Sequence, residues 1–226
     1  ANAAMRNKTK RFRSLYSLLN RVVLEEAYWK LNKDAASGVD QVTWQEYGVN
    51  LKQNLITLEE RLKQKRYWPR FVRRVEIPKP NGKMRPLGIP ALEDKIVQQV
   101  LSDILTALFE PLFLPCSYAY RPDRSAKQAV EDLREEIRNK YAWVVDADIK
   151  GFFDNVSHEW MLRFLGVRIQ DPSFLLLIQR FLKAGYVDEE QLVLTDRGTP
   201  QGGNLSPILS NIFLHYVLDL WFMFIL

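Results

Sequence analysis

The segment from Ala142 to Val156, AWVVDADIKGFFDNV, constrains the fold more than any other part of the chain. A β-rich apolar run carries Asp146 and Asp148 to its end and is followed at once by Gly151, Phe152 and Phe153. Alternation sets Val144, Asp146 and Asp148 on one face and Trp143, Val145 and Ala147 on the other, so a strand here aims both acids into one space. Such a pair suits a divalent cation. One strand rarely holds a catalytic cation alone, so partner ligands must come from elsewhere in the fold. By itself the segment also fits a strand that ends in solvated acids.

Two further segments carry chemistry. Thr199 to Leu214, TPQGGNLSPILSNIFL, places Gly202 and Gly203 in a loop ahead of a helix, with Ser206 predicted as N-cap and Pro207 as first helical residue. Gln201 offers a donor and an acceptor beside that gap. Arg74 to Pro90, RVEIPKPNGKMRPLGIP, has two apolar runs around Asn81-Gly82, which predicts a β-hairpin with a two-residue turn. Lys79 and Arg85 flank its tip, a point charge and a bidentate fork suited to phosphate oxygens. A tight strand-to-helix connection and a solvated hairpin edge are the plainer readings of these two segments.

Taken in order, IPKPNGKMRPLGIP, ALEDKIVQQVLSDIL, SYAYRPDRSAKQAV, VVDADIKGFFDNVSH and TPQGGNLSPILSNIFLHYVLD resemble successive blocks of the group II intron reverse transcriptases, the maturase family. The upstream SGVDQVTWQEY is similar to the N-terminal extension of those enzymes, so the resemblance covers nearly the whole chain. It implies an α+β right-hand polymerase fold, helix-rich, with fingers, a basic β-hairpin and a partial palm built on a small antiparallel sheet. It also implies an RNA-directed DNA polymerase that acts as a maturase on intron RNA. Its partners would be an RNA template with a DNA primer and deoxynucleoside triphosphates, and its cofactor Mg²⁺, two ions in the complete site. Asp148 matches the first catalytic, metal-holding aspartate, and the Ile149 carbonyl an extra ligand. Phe153 matches the aromatic that excludes a 2′-hydroxyl. Lys79 and Arg85 match the pair that grips the triphosphate, Gly151 and Phe152 offer it backbone N–H groups, and Gln201 lies under the nucleotide. Arg121 and Gly202 fall where the family meets its template. Organisation by resemblance is 1–66 as a helical RNA-binding extension, 67–140 as fingers and 141–226 as partial palm with interleaved fingers elements.

Tyr120, Asp123 and Lys127 depart from the residues usual in relatives. More important, the Tyr-x-Asp-Asp turn that carries the family's other two catalytic aspartates is absent before Leu226. One acid of three is not expected to catalyse, so the chain reads as a fragment whose parent is the enzyme. A binding-only splicing cofactor, or a bacterial reverse transcriptase serving a defence or CRISPR system, are the alternative readings.

A net charge of +5 suits a polyanionic partner. The cations cluster at Lys8, Lys10, Arg11 and Arg13, at Lys63, Lys65 and Arg66, and at Arg70, Arg73 and Arg74, the last two groups interleaved with Tyr67, Trp68 and Phe71. Aromatics among cations can stack on bases while the charges track phosphates; a solvated face is the plainer alternative. A single cysteine, Cys116, excludes an intrachain disulfide and is expected to be buried, and the two histidines, His158 and His215, show no zinc-ligand spacing. The chain shows no apolar signal core, and no stretch reaches the ~18 consecutive apolar residues of a membrane span. A soluble intracellular protein, bacterial or organellar, is therefore expected. The terminal LWFMFIL run would leave apolar surface able to drive dimerisation.

Helical spacing of Leu15, Leu18, Leu19, Val22 and Val23 predicts a helix over about 12–32. Thr43 with Glu46 and Thr57 with Glu60 read as capping boxes, splitting 43–66 near Asn54 to Thr57. Ile96, Val97, Val100, Leu101, Ile104, Leu105 and Leu108 mark a buried stripe. Ser125 with Gln128 starts a helix whose Ala126, Ala129, Val130, Leu133 and Ile137 should face inward. Asp171-Pro172 and Gly185 bracket another helix, and 186–198 reads as a short hairpin.

Overall fold

The computed structural model describes residues 4, 7, 9–78, 82, 84–139, 143–188, 191–193, 196–199 and 202–225. After a 3₁₀ turn at Tyr16–Leu18 come α1 (Arg21–Lys30), α2 (Trp44–Val49), α3 (Leu51–Lys63), β1 (Val72–Pro78), β2 (Met84–Ile89) and the long α4 (Leu92–Phe109). Then follow α5 (Ala126–Asn139), the short α6 (Phe152–Asn155), α7 (His158–Gly166), α8 (Pro172–Leu182), β3 (Tyr186–Asp188) and β4 (Gln191–Val193). The last elements are α9 (Ser206–Leu214), a π-helical turn His215–Asp219 and α10 (Leu220–Ile225).

The predicted α+β, helix-rich plan holds, and so does the basic hairpin: β1 and β2 are antiparallel, Ile77 opposite Arg85 and Val75 opposite Leu87. The 186–193 hairpin also forms, β3 against β4. The two hairpins join into one sheet, ordered β2-β1-β3-β4, because β3 lies parallel to β1, with Val72 opposite Tyr186. This sheet is mixed. The antiparallel palm sheet expected around the Asp148 segment is not formed among the described residues.

The buried stripe of α4 organises the core. Ile96, Val97, Val100, Leu101 and Leu105 are wholly inaccessible, each such side chain contributing roughly 1.5–3 kcal/mol of apolar burial. α4 packs against α1 on one side and α9 on another, and α9 in turn against α7. The N-terminal segment is tied to the far half of the chain: Phe12 N–H donates to the Arg168 carbonyl at 2.8 Å, and Gln170 N–H returns a bond to the Phe12 carbonyl at 2.7 Å.

Several local expectations need correction. The first helix begins at Arg21, not near 12, with Asn20 as its N-cap. Residues before it are held by tertiary bonds instead: Tyr16 N–H donates to Asp171 Oδ2 at 2.8 Å and its hydroxyl to the Leu62 carbonyl at 2.8 Å. The Thr43/Glu46 capping box forms. Thr57/Glu60 does not: α3 runs through it, and the Thr57 hydroxyl donates to the Gln53 carbonyl of the preceding turn. Ser125 accepts from Gln128 N–H at the start of α5, but Val130, Leu133 and Ile137 of that helix stay exposed rather than facing inward. Asp171 caps α8. At α9 the N-cap is Leu205, with Ser206 already inside the first turn. Cys116 is exposed, not buried.

The continuous helical run Ser206–Phe224 is long and apolar enough by length and composition to cross a bilayer, contrary to the count of consecutive apolar residues, which polar His215, Tyr216 and Asp219 interrupt. Its first half behaves as a core helix, burying Ile208, Leu209 and Ile212, while Trp221, Phe222, Met223 and Phe224 are exposed.

Candidate active site

The described residues on either side of Gln201, 197–199 and 202–204, meet other parts of the predicted site. On one side Thr199 N–H donates to the Phe153 carbonyl and Gly198 N–H to the Val156 carbonyl, both at 2.7 Å. Gly198 sits at φ +86, where a β-carbon would stand 2.9 Å from both the Phe153 and Asp154 carbonyl oxygens. Buried His158 reaches from α7 to fix the same turn, its Nε2–H donating to the Gly198 carbonyl at 2.6 Å. Burial lowers the imidazole's pKa and the Gly198 carbonyl works against that, so the neutral ring is the form the fold prefers. Gly151, at φ +62, leads into α6, whose Phe152 and Phe153 meet edge to face at 5.4 Å.

On the other side the backbone lies directly on the basic hairpin. A β-carbon on Gly202, at φ +110, would fall 2.9 Å from Leu87 Cδ1 and closer still to the Gly88 carbonyl oxygen of β2. One on Gly203 would meet Gln98 Oε1 of α4 at 2.5 Å. Asn204 Nδ2 donates to Gln99 Oε1 at 3.0 Å. The glycine pair therefore serves close packing onto β2 and α4. Gly202→Ala is expected to destabilise the fold by about 1–3 kcal/mol, since a positive-φ alanine is strained and the obstacle is backbone; the midpoint of urea unfolding measures it, and an unaltered midpoint would contradict this packing.

The carboxylates are elsewhere. Residues 143–149 have no regular secondary structure and are exposed, Asp146, Asp148 and Ile149 among them. The alternating pattern is compatible with a strand, but a strand also needs a neighbour for its backbone N–H and C=O groups, and no described segment pairs with this one. Among the described residues no group of three or more His, Cys, Asp or Glu stands together. Lys8, Lys79, Asn81 and Gln201 lie outside the described residues; Arg85 is placed by its backbone in β2.

The predicted cations fall into two sets. Lys10, Arg11, Arg13, Lys63, Lys65 and Arg66 are exposed, with Arg13 bonded to Gln170 at 3.0 Å and Lys63 to Glu59 at 3.1 Å. Others are used inside the fold. Arg73 donates twice to the Ser37 carbonyl, at 3.1 and 2.6 Å, and Arg74 stacks on Tyr186 at 5.1 Å. Arg121 is also engaged inside the fold: its guanidinium binds Glu110 through two nitrogens and the carbonyls of Leu114 and Ser117. These bonds brace the turn after α4.

One buried polar cluster was missed. Asp94, on the buried face of α4, accepts from the Tyr67 hydroxyl and from Arg70 N–H at 3.0 Å. Next to it Arg61 pairs with Glu93 at 2.5 Å, and Tyr47 donates to Glu93 at 3.3 Å. The signal was present: Asp94 and Gln98 are four residues apart on the same helix face as Val97 and Leu101, where an unpaired polar group would be costly.

With this geometry in view, residues 77–223 match the family model for reverse transcriptase (RNA-dependent DNA polymerase), and the chain belongs to that family. It is 44% identical over 155 residues to the group II intron-encoded protein LtrA of Lactococcus lactis subsp. cremoris, a match covering 68% of this chain and 26% of that protein. It is 37% identical to protein YkfC of Escherichia coli over 182 residues, 79% of this chain and 48% of that one. The match thus spans only about a quarter to a half of these relatives. Among solved structures, a chain of a partial Cas6-RT-Cas1–Cas2 complex shares the fold, with TM-score 0.61 and 21% identity over 94% of this chain and 35% of that one.

Proposed function

We propose that the whole protein is an RNA-directed DNA polymerase of a group II intron that also binds its intron RNA as a maturase. The observation that supports it is the convergence of three family blocks at residues 197–199 and 202–204: Gly202 seats on the basic hairpin at Gly88 while Gly198 and Thr199 are tied to Phe153 and Val156. In this reading an incoming nucleotide lies between the hairpin that carries Lys79 and Arg85 in its sequence and the aromatic Phe153. The intron-encoded relatives support the intron assignment over a defence role.

In this reading 1–66 is a helical RNA-binding extension, 67–140 the fingers and 141–226 palm with interleaved fingers elements. The substrates are an RNA template, a DNA primer and deoxynucleoside triphosphates. Lys79 and Arg85 bind the triphosphate, helped by the N–H groups of Gly151 and Phe152, and Gln201 lies beneath the base. Phe153 closes the space where a 2′-hydroxyl would sit. Lys10, Arg11, Arg13, Lys65 and Arg66 face RNA. Reverse transcription depends on divalent metal, here Mg²⁺, and Asp148 with the Ile149 carbonyl would bind it. The described residues do not fit a complete metal site, since Asp148 stands with no cluster of further acids.

The test is extension of a DNA primer on an RNA template by the whole protein with Mg²⁺ and deoxynucleotides. Extension supports the polymerase; an inert protein that still binds structured intron RNA would replace it with the binding-only maturase. Phe153→Ala is expected to admit ribonucleotides about 10- to 100-fold more readily, on the scale of opening a small hydrophobic pocket, read as the ratio of kcat/KM for ribo and deoxy substrates. An unaltered ratio removes Phe153 from that role.

A further inference from the structure

Trp68 stands 66% exposed on the connection between α3 and β1, although indole is among the side chains that gain most from burial. One side of its ring is occupied. The Arg180 guanidinium of α8 lies 4.4 Å from the ring centroid, and Arg180 Nη1 is itself fixed by the carbonyls of Lys65 and Tyr67 at 2.9 and 2.7 Å. The indole is therefore held from behind by a locked cation, with most of its surface open to solvent.

The chain around it is also pre-set. α3 ends with Lys65 N–H bonded to the Leu62 carbonyl at 2.7 Å and Arg66 N–H to the Arg61 carbonyl at 2.9 Å, a Schellman closure with Lys65 at φ +57. Glycine is usual at that position. Lys65 and Arg66 are exposed and carry no ion pair to another described residue, unlike Lys63, which pairs with Glu59, and Arg70, whose guanidinium pairs with Asp40 at 3.7 Å. Trp160 makes an instructive contrast: Arg163 covers its ring at 4.8 Å, but that arginine is neutralised by Glu159 at 2.7 Å. An open aromatic face beside uncompensated cations is the arrangement that takes an unpaired base and its phosphates.

We infer that Trp68, backed by Arg180, is a stacking platform for one unpaired base of single-stranded RNA, with Lys65 and Arg66 binding the flanking phosphates. Arg180 acts as a positioning residue through Trp68. The inference rests on the RNA-binding part of the proposed function and names the contact that would carry it.

Stacking and charge separate by salt dependence. With a fluorescent single-stranded RNA of about 10 nucleotides as probe, anisotropy titrations across a salt series should show Trp68→Ala binding roughly 5- to 100-fold more weakly at an unchanged log–log slope. Trp68→Phe should recover most of the affinity, which also guards against a folding defect. Arg66→Ala should instead reduce the salt slope by about 1. On an abasic strand of equal length, the unsubstituted chain and Trp68→Ala should bind alike. If Trp68→Ala binds the base-bearing strand as tightly as the unsubstituted chain does, or loses equally on the abasic strand, the platform is overturned while RNA binding stands. If the unsubstituted chain binds no strand, the RNA-binding reading itself falls.

Discussion

Replacing Asp148 by alanine in the whole protein is expected to lower primer extension at least ~10³-fold, the scale of losing a group that stabilises charge at a transferring phosphoryl, and to leave thermal stability unaltered. Both halves follow from where the residue sits. Asp148 is exposed on a segment without regular structure and carries no hydrogen bond or ion pair to another described residue, so the fold does not depend on it. An acidic side chain with no partner among the described residues is available for the metal-binding role proposed above. Primer extension and a melting curve on the same preparation decide the matter. Retained activity would dismiss Asp148 as a metal-holding acid; a large fall in melting temperature would show a structural role instead.

The second large effect concerns Asp94. Burial pushes its carboxyl up from an ordinary 3.8 to about 7. The Tyr67 hydroxyl and Arg70 N–H pull it down and nearby Glu93 adds to the rise. The unfolded chain releases this proton near pH 4 and the folded one near pH 7, so between those values the folded state binds more protons. Stability from this group is thus fully present below about pH 4, declines as pH rises to about 7 and is level above, a difference on the order of 4 kcal/mol. His158 tilts the other way, since a buried imidazole with a lowered pKa costs stability as the pH falls below 6.5. The comparison to make is therefore the urea midpoint at pH 5 and pH 8 for the unsubstituted chain and Asp94→Asn. The asparagine variant should lose the Asp94 component of the slope and retain that of His158. Identical slopes in the two proteins would mean that Asp94 is ionised throughout.

Asp94 marks the boundary between local and tertiary information in this chain. Its neighbours Ile96, Val97, Val100 and Leu101 announced a buried helix, because apolar periodicity is a local signal that burial must satisfy. That Asp94 belongs to the same face was equally visible, but the groups that make its burial tolerable, Tyr67 and the Arg70 N–H, come from another segment. The basic residues repeat the lesson. Lys65, Arg66, Arg73, Arg121 and Arg180 are all cations in the sequence, yet Arg73, Arg121 and Arg180 donate to main-chain carbonyls or to Glu110, whereas Lys65 and Arg66 stay free of ion pairs among the described residues.

By itself the sequence determined the family, through ordered blocks too specific to arise singly, and the elements whose cause is local: the Thr43/Glu46 capping box, the Asp171-Pro172 helix start, the Ser125 cap and the hairpin strands on either side of Asn81-Gly82. Tertiary structure alone decided what depends on groups far apart in the chain. It joined β1 to β3, laid Gly202 against Gly88 and turned the glycine pair into a packing device, and set Arg73, Arg121 and Arg180 on carbonyls or a carboxylate while leaving Arg66 exposed. It also left the Asp148 segment and the apolar stripe of α5 exposed, although each carries a correct local pattern. The physical reason is the same in both: a strand or an amphipathic helix states which face must be covered, but the covering surface, and the free energy it supplies, belongs to another part of the molecule.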